Sequence, residues 1–411
     1  MGTKSTQFRN RGDFDGENTS GKSGVSWNTA QLGTAAIFGI EATGGYIEDF
    51  IENGKKYRIH QYGMAGYGPT AVGSPYVAAS PPTGWSFVVS SSGGLGGDIH
   101  YQVVGGGGGS AYPSSGGAGA GGFRTNYPGV VTDPTAPGGS VPLTGAAYPV
   151  SAGTYVVKVG DYGMYAGGAG SPSPTAGANG GPSEFYPSGQ SFPHASYIRS
   201  YGGGAGQPPG SSSPGDTFGS GGGGGYPNYA GGPANGPSAD PNHPIVQGYP
   251  GGNGPPNAGG DPGGGGGGGA GAAGSAGTPT GQGHGGTGVI SGIYPSPPTV
   301  NSGNGFYWAG GGGGGFNRNN GGGGDGGAGG GGGGGVGPTN PDRGTGGTGG
   351  VGDGNGAYSG GQSGAGASRT GSGGGGCASP PTNDGRHGYG GRGTVIIRYE
   401  VAMSQPLVQS G

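Results

Sequence analysis

The chain has 411 residues, of which 125 are glycine and 36 are proline, and only 28% are hydrophobic and 9% charged. Ordinary globular domains are roughly 45–50% apolar and about 25% charged, so this composition excludes a conventional apolar core for most of the chain. The formal net charge of -3 gives no electrostatic basis for binding nucleic acid or an anionic membrane. The single cysteine, Cys377, excludes an intrachain disulfide framework.

Residues 1–40 are polar and carry isolated apolar side chains. A segment of this kind cannot build a core alone, and it becomes ordered by laying those side chains onto a partner. We therefore predict an N-terminal attachment arm over residues 1–40, with Phe8, Phe14 and Trp27 as its candidate anchors. The start of the chain lacks a signal-peptide core and no apolar run approaches the length of a membrane span, so we expect no membrane insertion.

Residues 41–104 carry short alternating runs that predict the first strands of a β scaffold. The clearest runs are 56–62, 85–89 and 98–104, and residues 394–411 supply a closing strand over 394–401 and a C-terminal tail. Ile99, Tyr101 and Val103 fall on one face of 98–104, and Val395, Ile397, Tyr399 and Val401 fall on one face of 394–401. Arg398 and Glu400 fall on the other face, a pattern typical of half-buried strands. We predict an all-β fold: an antiparallel β-sandwich or jelly-roll-like scaffold with essentially no α-helix.

Residues 105–393 form a glycine-rich tract that we interpret as one large insertion between those two strands. It holds a further clear strand at 153–160 and weaker candidates at 196–201, 289–294 and 306–308. Glycine loses much backbone entropy on ordering, so its runs need a compensating interaction. Polyglycine-II packing supplies one, because polyproline-II-like helices without Cβ atoms can hydrogen-bond sideways to their neighbours. Ordering costs and lateral hydrogen bonds nearly cancel, so we expect short helices that are pinned at their ends.

The dipeptide Tyr-Pro recurs along the chain, and we predict that it marks turns between these helices because proline stops a pairing pattern. Two interpretations remain open. Each tyrosine covers glycine backbone at a turn, or the turns gather at a distal face and present aromatic rings to a sugar-rich surface. The candidate receptor-contact residues are Tyr112, Tyr127, Tyr186, Tyr226, Tyr249 and Tyr294.

No motif in the sequence argues for catalysis, a cofactor or a metal. Residues 16–23 match the P-loop expression, but they lack the buried strand before and the helix after that phosphate binding requires. The histidines show no paired ligand spacing, and Cys377 has no neighbour in sequence that would activate a thiol. Glu48, Asp49 and Glu52 form an acidic cluster that we interpret as a solvated face. We therefore expect a protein that is not an enzyme.

Four stretches, at 101–109, 121–126, 150–160 and 391–399, together resemble the glycine-rich structural proteins of marine tailed phages, cyanophages among them. The resemblance covers about residues 45–401. The tract is also similar in kind to the polyglycine-II sandwiches at the tips of some phage tail fibres, where loops at the helix ends contact the host receptor. The resemblance implies a virion protein, often oligomeric and here expected to be a homotrimer. Its arm would bind other virion proteins.

Two hypotheses follow from this resemblance. The first is a tail-fibre or receptor-binding protein that contacts a host surface glycan or outer-membrane component. The alternative is a capsid head-fibre or decoration protein that binds the major capsid protein. A cellular surface or matrix protein would be expected to carry an export signal, and an enzyme has no supporting motif. The number of copies per particle would distinguish a tail protein from a capsid protein.

Overall fold

The computed structural model describes most of the chain from residue 39 to residue 401. The described ranges are 39–63, 85–93, 97–111, 114–128, 147–164, 177–208, 219–234, 247–256, 263–279, 281–294, 306–316, 322–336, 343–348, 354–357, 362–378 and 388–401. Within these ranges the chain forms strands and extended segments and no helix, so the all-β prediction is confirmed.

Thirteen strands build antiparallel sheets. They are β1 (Glu41–Thr43), β2 (Tyr46–Glu52), β3 (Lys55–Tyr62), β4 (Trp85–Ser91), β5 (Asp98–Val104), β6 (Phe123–Thr125), β7 (Tyr148–Pro149), β8 (Gly153–Lys158), β9 (Ser183–Pro187), β10 (Ile198–Ser200), β11 (Val289–Ser291), β12 (Phe306–Trp308) and β13 (Thr394–Val401). One sheet has the order β1-β4-β8-β9-β10 and the other β2-β3-β13-β5-β6, with β7 paired to β5 and β11 to β12. Thr394 pairs with Val104 and Arg398 with His100, so β5 and β13 bring the two ends of the tract together.

The main apolar core lies between the two large sheets. Tyr101 and Ile397 project into it from the six-stranded sheet, and Phe87, Val157 and Phe185 project from the five-stranded sheet. The rings pack at angles to one another, with centroids 6.2 Å apart for Phe87 and Phe185. Burial of such large aromatic side chains stabilises a chain that has few apolar residues.

The six-stranded sheet is buried on its second face as well, which corrects the expectation that β5 and β13 are half-buried. Ile396 and Phe123 on that face pack against Trp308 and Val289 of the β11–β12 hairpin. The last two residues of β13, Glu400 and Val401, are partly exposed, and the other six are buried. The sequence pattern suggested otherwise because a polar residue, Arg398, occupies the second face.

The glycine tract is held by lateral hydrogen bonds with a period of three residues. Donors three residues apart in 105–110 bond to the same neighbouring stretch, which runs antiparallel to them. The pairs are Gly105 to Gly122, Gly108 to Gly119, Gly106 to Gly181, Gly109 to Ala178, Gly107 to Gly391 and Ser110 to Gly388. This is the period that polyglycine-II packing predicts, because its helix has three residues per turn. We call each such stretch a threefold segment, and the segments together the glycine array.

Interior threefold segments are surrounded on all sides. The N–H groups of 263–270 donate to three segments, within 309–315, 221–224 and 272–275, and their carbonyl groups accept from three others, within 283–286, 117–120 and 249–252. Six neighbours is the coordination of a hexagonal array. A Cβ on most of these glycines would lie less than 3.0 Å from a neighbouring backbone atom, so the packing excludes larger residues there.

Several strands were not predicted. The tract contributes β6, β7 and β9 to the scaffold, and β1 and β2 precede the first predicted run. The prediction that Tyr-Pro marks turns is wrong for Tyr148, which lies in β7. Tyr186 lies in β9, but the proline that follows it begins a turn, in which Gln190 N donates to Pro187 O at 3.1 Å. A strand tolerates proline at its end, where no further ladder hydrogen bond is needed.

His60 makes the stability of the sandwich depend on pH. Its Nδ1 lies 2.7 Å from the Gly44 carbonyl, which can only accept, so Nδ1 donates and Nε2 accepts from the Tyr399 hydroxyl at 2.8 Å. Burial lowers the pKa of His60 below its usual value of 6.5. The unfolded chain therefore binds this proton more readily, and stability is expected to fall as pH falls below about 6.5.

Chemical unfolding measured at pH 7.5, 6.5 and 5.5 tests this expectation. The wild-type midpoint should decrease between pH 6.5 and 5.5, and His60→Gln should lose part of that decrease. The rest is expected from His100, because burial lowers its pKa as well. His194→Gln changes an exposed histidine and should keep the wild-type pH dependence. An unchanged profile in His60→Gln would show that another group controls it.

Candidate functional site

The glycine array has a near end at the sheets and a far end away from them. β5 continues directly into the threefold segment 105–111, and the following segment, 114–122, runs back and enters β6. Ala111, which ends the first segment, and Ser114, which begins the second, therefore lie at the far end. Direction can be assigned to other segments in the same way from their hydrogen bonds.

A turn at 226–229 lies at the far end. Segment 219–225 runs antiparallel to 114–122, with Ser220 N bonded to Ala120 O and Gly223 N to Gly117 O, so residue 226 follows its far end. Tyr226 precedes a cis proline, and Asn228 has a φ of 56°. Asn228 N donates to the Pro255 carbonyl at 2.7 Å. The turn thus holds Asn228 exposed between two half-buried tyrosines, Tyr226 and Tyr229.

A second turn at the far end connects segments 272–277 and 281–288. Thr278 N donates to Gly281 O at 2.7 Å, and Gly281 N donates back to Thr278 O at 3.3 Å. Thr278 and Pro279 are exposed. Together with Asn228 and the exposed Asn253, this turn presents hydroxyl and amide groups at the far end, and such groups recognise sugar hydroxyls by hydrogen bonding.

The structure does not bring together the five candidate tyrosines that it describes. Tyr226 lies at the far end, whereas Tyr127 and Tyr294 lie at the near end, where both pack on the second face of the six-stranded sheet. Tyr186 lies in β9 and stacks on Tyr197 with centroids 4.1 Å apart. Tyr249 begins its segment at the near end and is 9% exposed. Tyr112 and the candidate anchors Phe8, Phe14 and Trp27 lie outside the described residues.

Of the near-end candidate tyrosines, Tyr127 belongs to a cluster around Arg398, whose side chain is 2% exposed. The guanidinium lies over the rings of Tyr57, Tyr127 and Phe50, at 4.2, 4.9 and 5.0 Å from their centroids. Its Nη2 donates to Glu52 Oε2 at 2.6 Å. We call these five residues the Arg398 cluster.

The Arg398 cluster joins the hairpin to the sheet. Arg398 Nη1 lies 3.4 Å from the carbonyl of Ile293, and the Tyr294 hydroxyl donates to Glu48 Oε1 at 3.0 Å. Burial, and then this hydrogen bond, raise the pKa of Tyr294 to about 12. The three aromatic rings therefore surround a side chain of the protein itself. The Arg398 cluster acts as a structural connection between the hairpin and the six-stranded sheet.

An exposed side of the array carries a line of polar residues that the sequence did not single out. His284 N donates to Ser275 Oγ at 2.7 Å, Asp325 N to His284 Nδ1 at 3.0 Å, and Thr345 Oγ1 to Asp325 Oδ1 at 2.7 Å. These four residues lie on adjacent threefold segments. Thr287, Ala328 and Thr348 follow three residues later, which is one helical turn. The Gly-Gly-X spacing of the sequence could have identified this side, because every third residue of a threefold segment faces the same direction.

Two of the other groups that the sequence singled out, Cys377 and Asp49, contact neighbouring side chains. The P-loop match at 16–23 lies outside the described residues. The thiol of Cys377 is buried, with Ser363 Oγ at 3.1 Å. Among the acidic residues of β2, the Arg58 guanidinium bound to Asp49 lowers the pKa of that carboxyl to about 2. The described part of the chain contains no group of three or more side chains arranged to hold a metal ion.

Neither protein-family models nor curated proteins give a match to this sequence. Within the described residues, no helix has the length and apolarity needed to cross a membrane. The function therefore has to be argued from the geometry of the glycine array and from the resemblance that the sequence motifs carry.

Proposed function

We propose that this protein is a non-enzymatic virion structural protein of a tailed phage, a tail-fibre or receptor-binding protein whose far end contacts the host cell. The observation that carries the proposal is the turn at 226–229, where Asn228 is exposed and held by its hydrogen bond to Pro255 at the far end of a hydrogen-bonded array. The ligand is a glycan or outer-membrane component of the host surface. Other virion proteins bind the N-terminal arm.

Two physical features support this proposal. The array gives its turns little freedom, because the flanking segments are fixed by hydrogen bonds along their length, as between Gly224 and Gly252 or Gly254 and Tyr229. Preorganised loops lose less entropy on binding than mobile ones. Half-buried tyrosines beside an exposed amide also provide the stacking surface and hydrogen-bonding group that sugars require.

Binding to host cells tests the proposal. Labelled protein should bind cells of the propagating host, and Tyr226→Ala combined with Asn228→Gly should reduce that binding at least tenfold. Glycine at 228 keeps the positive φ while removing the amide. The matched control, Ser86→Ala with Thr154→Ala, changes exposed residues of the scaffold and should bind like wild type. Equal binding by both double variants would refute a receptor contact at this turn.

Periodate oxidation of the host cells separates the two kinds of receptor, since it destroys glycans and leaves outer-membrane proteins largely intact. Counting copies per particle addresses the alternative capsid role. A tail protein should occur in small multiples of three or six, and a copy number that follows capsid symmetry would favour a head-fibre or decoration protein.

A further inference from the structure

The edge strand β2 exposes more large apolar side chains than any other described element. Ile51 is 70% exposed, Tyr46 55% and Ile47 41%. β2 ends the six-stranded sheet, with β3 on its inner side. Exposed apolar edge strands promote pairing with another chain, and soluble proteins normally protect them with proline, lysine, a bulge or a short length.

β2 has none of these protections. It is seven residues long, contains neither proline nor lysine, and pairs with β3 in continuous register from Tyr46 and Gln61 to Glu52 and Lys55. A straight strand of this length presents its outer backbone groups as a template for another strand. The strand is therefore suited to pairing along its whole length.

The carboxylates on β2 do not prevent pairing, because each one has a partner in its own chain. Asp49 Oδ1 lies 2.6 Å from Arg58 Nε, and Asp49 Oδ2 lies 2.9 Å from Lys56 Nζ. Glu52 is paired with Arg398, and Glu48 accepts from Tyr294. Over β2 and β3 together, three carboxylates, Glu48, Asp49 and Glu52, are balanced by three cations, Lys55, Lys56 and Arg58, so the edge of the sheet has no net charge.

We infer that β2 pairs antiparallel with β2 of a second copy of this chain. In an antiparallel pair, residues directly opposite each other lie on the same face of the sheet. The two-fold axis that relates two identical strands must therefore pass beside a residue, and not between two consecutive residues. Centring on Asp49 places Ile47 opposite Ile51 of the partner subunit, and Ile51 opposite Ile47 of the partner subunit. This register covers the two isoleucines on that face and joins the two six-stranded sheets into one.

Cysteine cross-linking tests the register. In Asp49→Cys the two thiols face each other across the two-fold axis, with Cα atoms about 4.5–5.5 Å apart, which is within disulfide range. In Tyr46→Cys the same atoms are about 20 Å apart. Mild oxidation should therefore join Asp49→Cys into covalent dimers and leave Tyr46→Cys unlinked. Cys377 is buried and does not compete. Cross-linking of both variants, or of neither, would overturn the inference.

Light-scattering mass gives a second test without new thiols. The wild-type mass should be an even multiple of the 38.6 kDa chain mass, and Ile51→Lys should halve it. Val88→Lys changes another exposed apolar residue, 36% exposed on β4, and should keep the wild-type mass. A trimeric mass, as the fibre resemblance implies, or a mass unaffected by Ile51→Lys would overturn the two-fold pairing. If the wild-type protein is a monomer and Ile51→Lys lowers its stability, β2 packs against another part of its own chain. That result would also overturn the two-fold pairing.

Discussion

Replacing Gly267 by alanine is expected to lower the free energy of unfolding by about 3–5 kcal/mol. Gly267 lies in the interior segment 263–270, donates to Gly312 and accepts from Gly286. A Cβ there would lie less than 3.0 Å from the backbone of Ala118. Backbone cannot move aside as a flexible side chain can, so the segments must separate and both hydrogen bonds weaken. Domains have only about 5–15 kcal/mol of stability, so the loss is a large part of the total.

Gly356→Ala is the matched control for this prediction. The atom nearest to its Cβ would be Gly344 O at 3.6 Å, which is an ordinary van der Waals contact. Its effect should stay within about 0.5 kcal/mol, or be slightly stabilising because alanine restricts the unfolded chain. Chemical unfolding followed by the fluorescence of the buried Trp308 measures both variants. Equal stability of the two would contradict close packing in the array.

Replacing Arg398 by alanine should cost about 2–5 kcal/mol, mainly because it empties the space that the buried side chain fills between three aromatic rings; the lost pair adds less, since Glu52 is 36% exposed. Glu52 would lose its 2.6 Å contact, and the Ile293 carbonyl would lose a donor. Arg398→Met fills the same space without charge and should lose less. Unfolding curves for the two variants, with Glu52→Gln added to complete a double-mutant cycle, separate charge from volume.

Lys55→Met is the control for that cycle. Lys55 pairs with Glu400 at 2.7 Å, but its side chain is 58% exposed, and surface pairs of this kind contribute little. No measurable change in the unfolding midpoint is expected. A loss in Lys55→Met as large as that in Arg398→Ala would show that burial does not decide the value of these pairs.

Much of the scaffold was predictable because its strands obey a period of two. Runs such as those of β5, β12 and β13 match the predicted limits, and the hydrogen bonds between glycine segments recur every three residues. Both rules depend on local geometry alone. A strand alternates its faces, and only glycine permits close lateral contact between threefold segments.

The candidate site was less predictable, because it depends on which end of the array each turn occupies. Tyr226 and Tyr294 each precede a proline in the sequence, yet Tyr226 lies at the far end and Tyr294 lies beside the Arg398 cluster. That difference follows from the direction of each threefold segment, which is set by long-range hydrogen bonds. Similarly, the strand pattern placed Arg398 on the polar face of β13. In the structure the residues after β11 cover this face, and the Ile293 carbonyl lies within 3.4 Å of Arg398 Nη1. Local patterns do not specify such partners.

Hydrogen exchange of glycine amides tests most directly whether the tract is a hydrogen-bonded array. Selective 15N-glycine labelling reports on the interior segments 263–270 and 309–316 without relying on peptide cleavage. We predict that the amides of 264–270 and 309–316 exchange as slowly as those of β5 and β13, because each of them is bonded to a neighbouring segment and opens only with the fold. Exchange at the rate of an unstructured chain, while the strands remain protected, would contradict the array and remove the basis for a rigid far end.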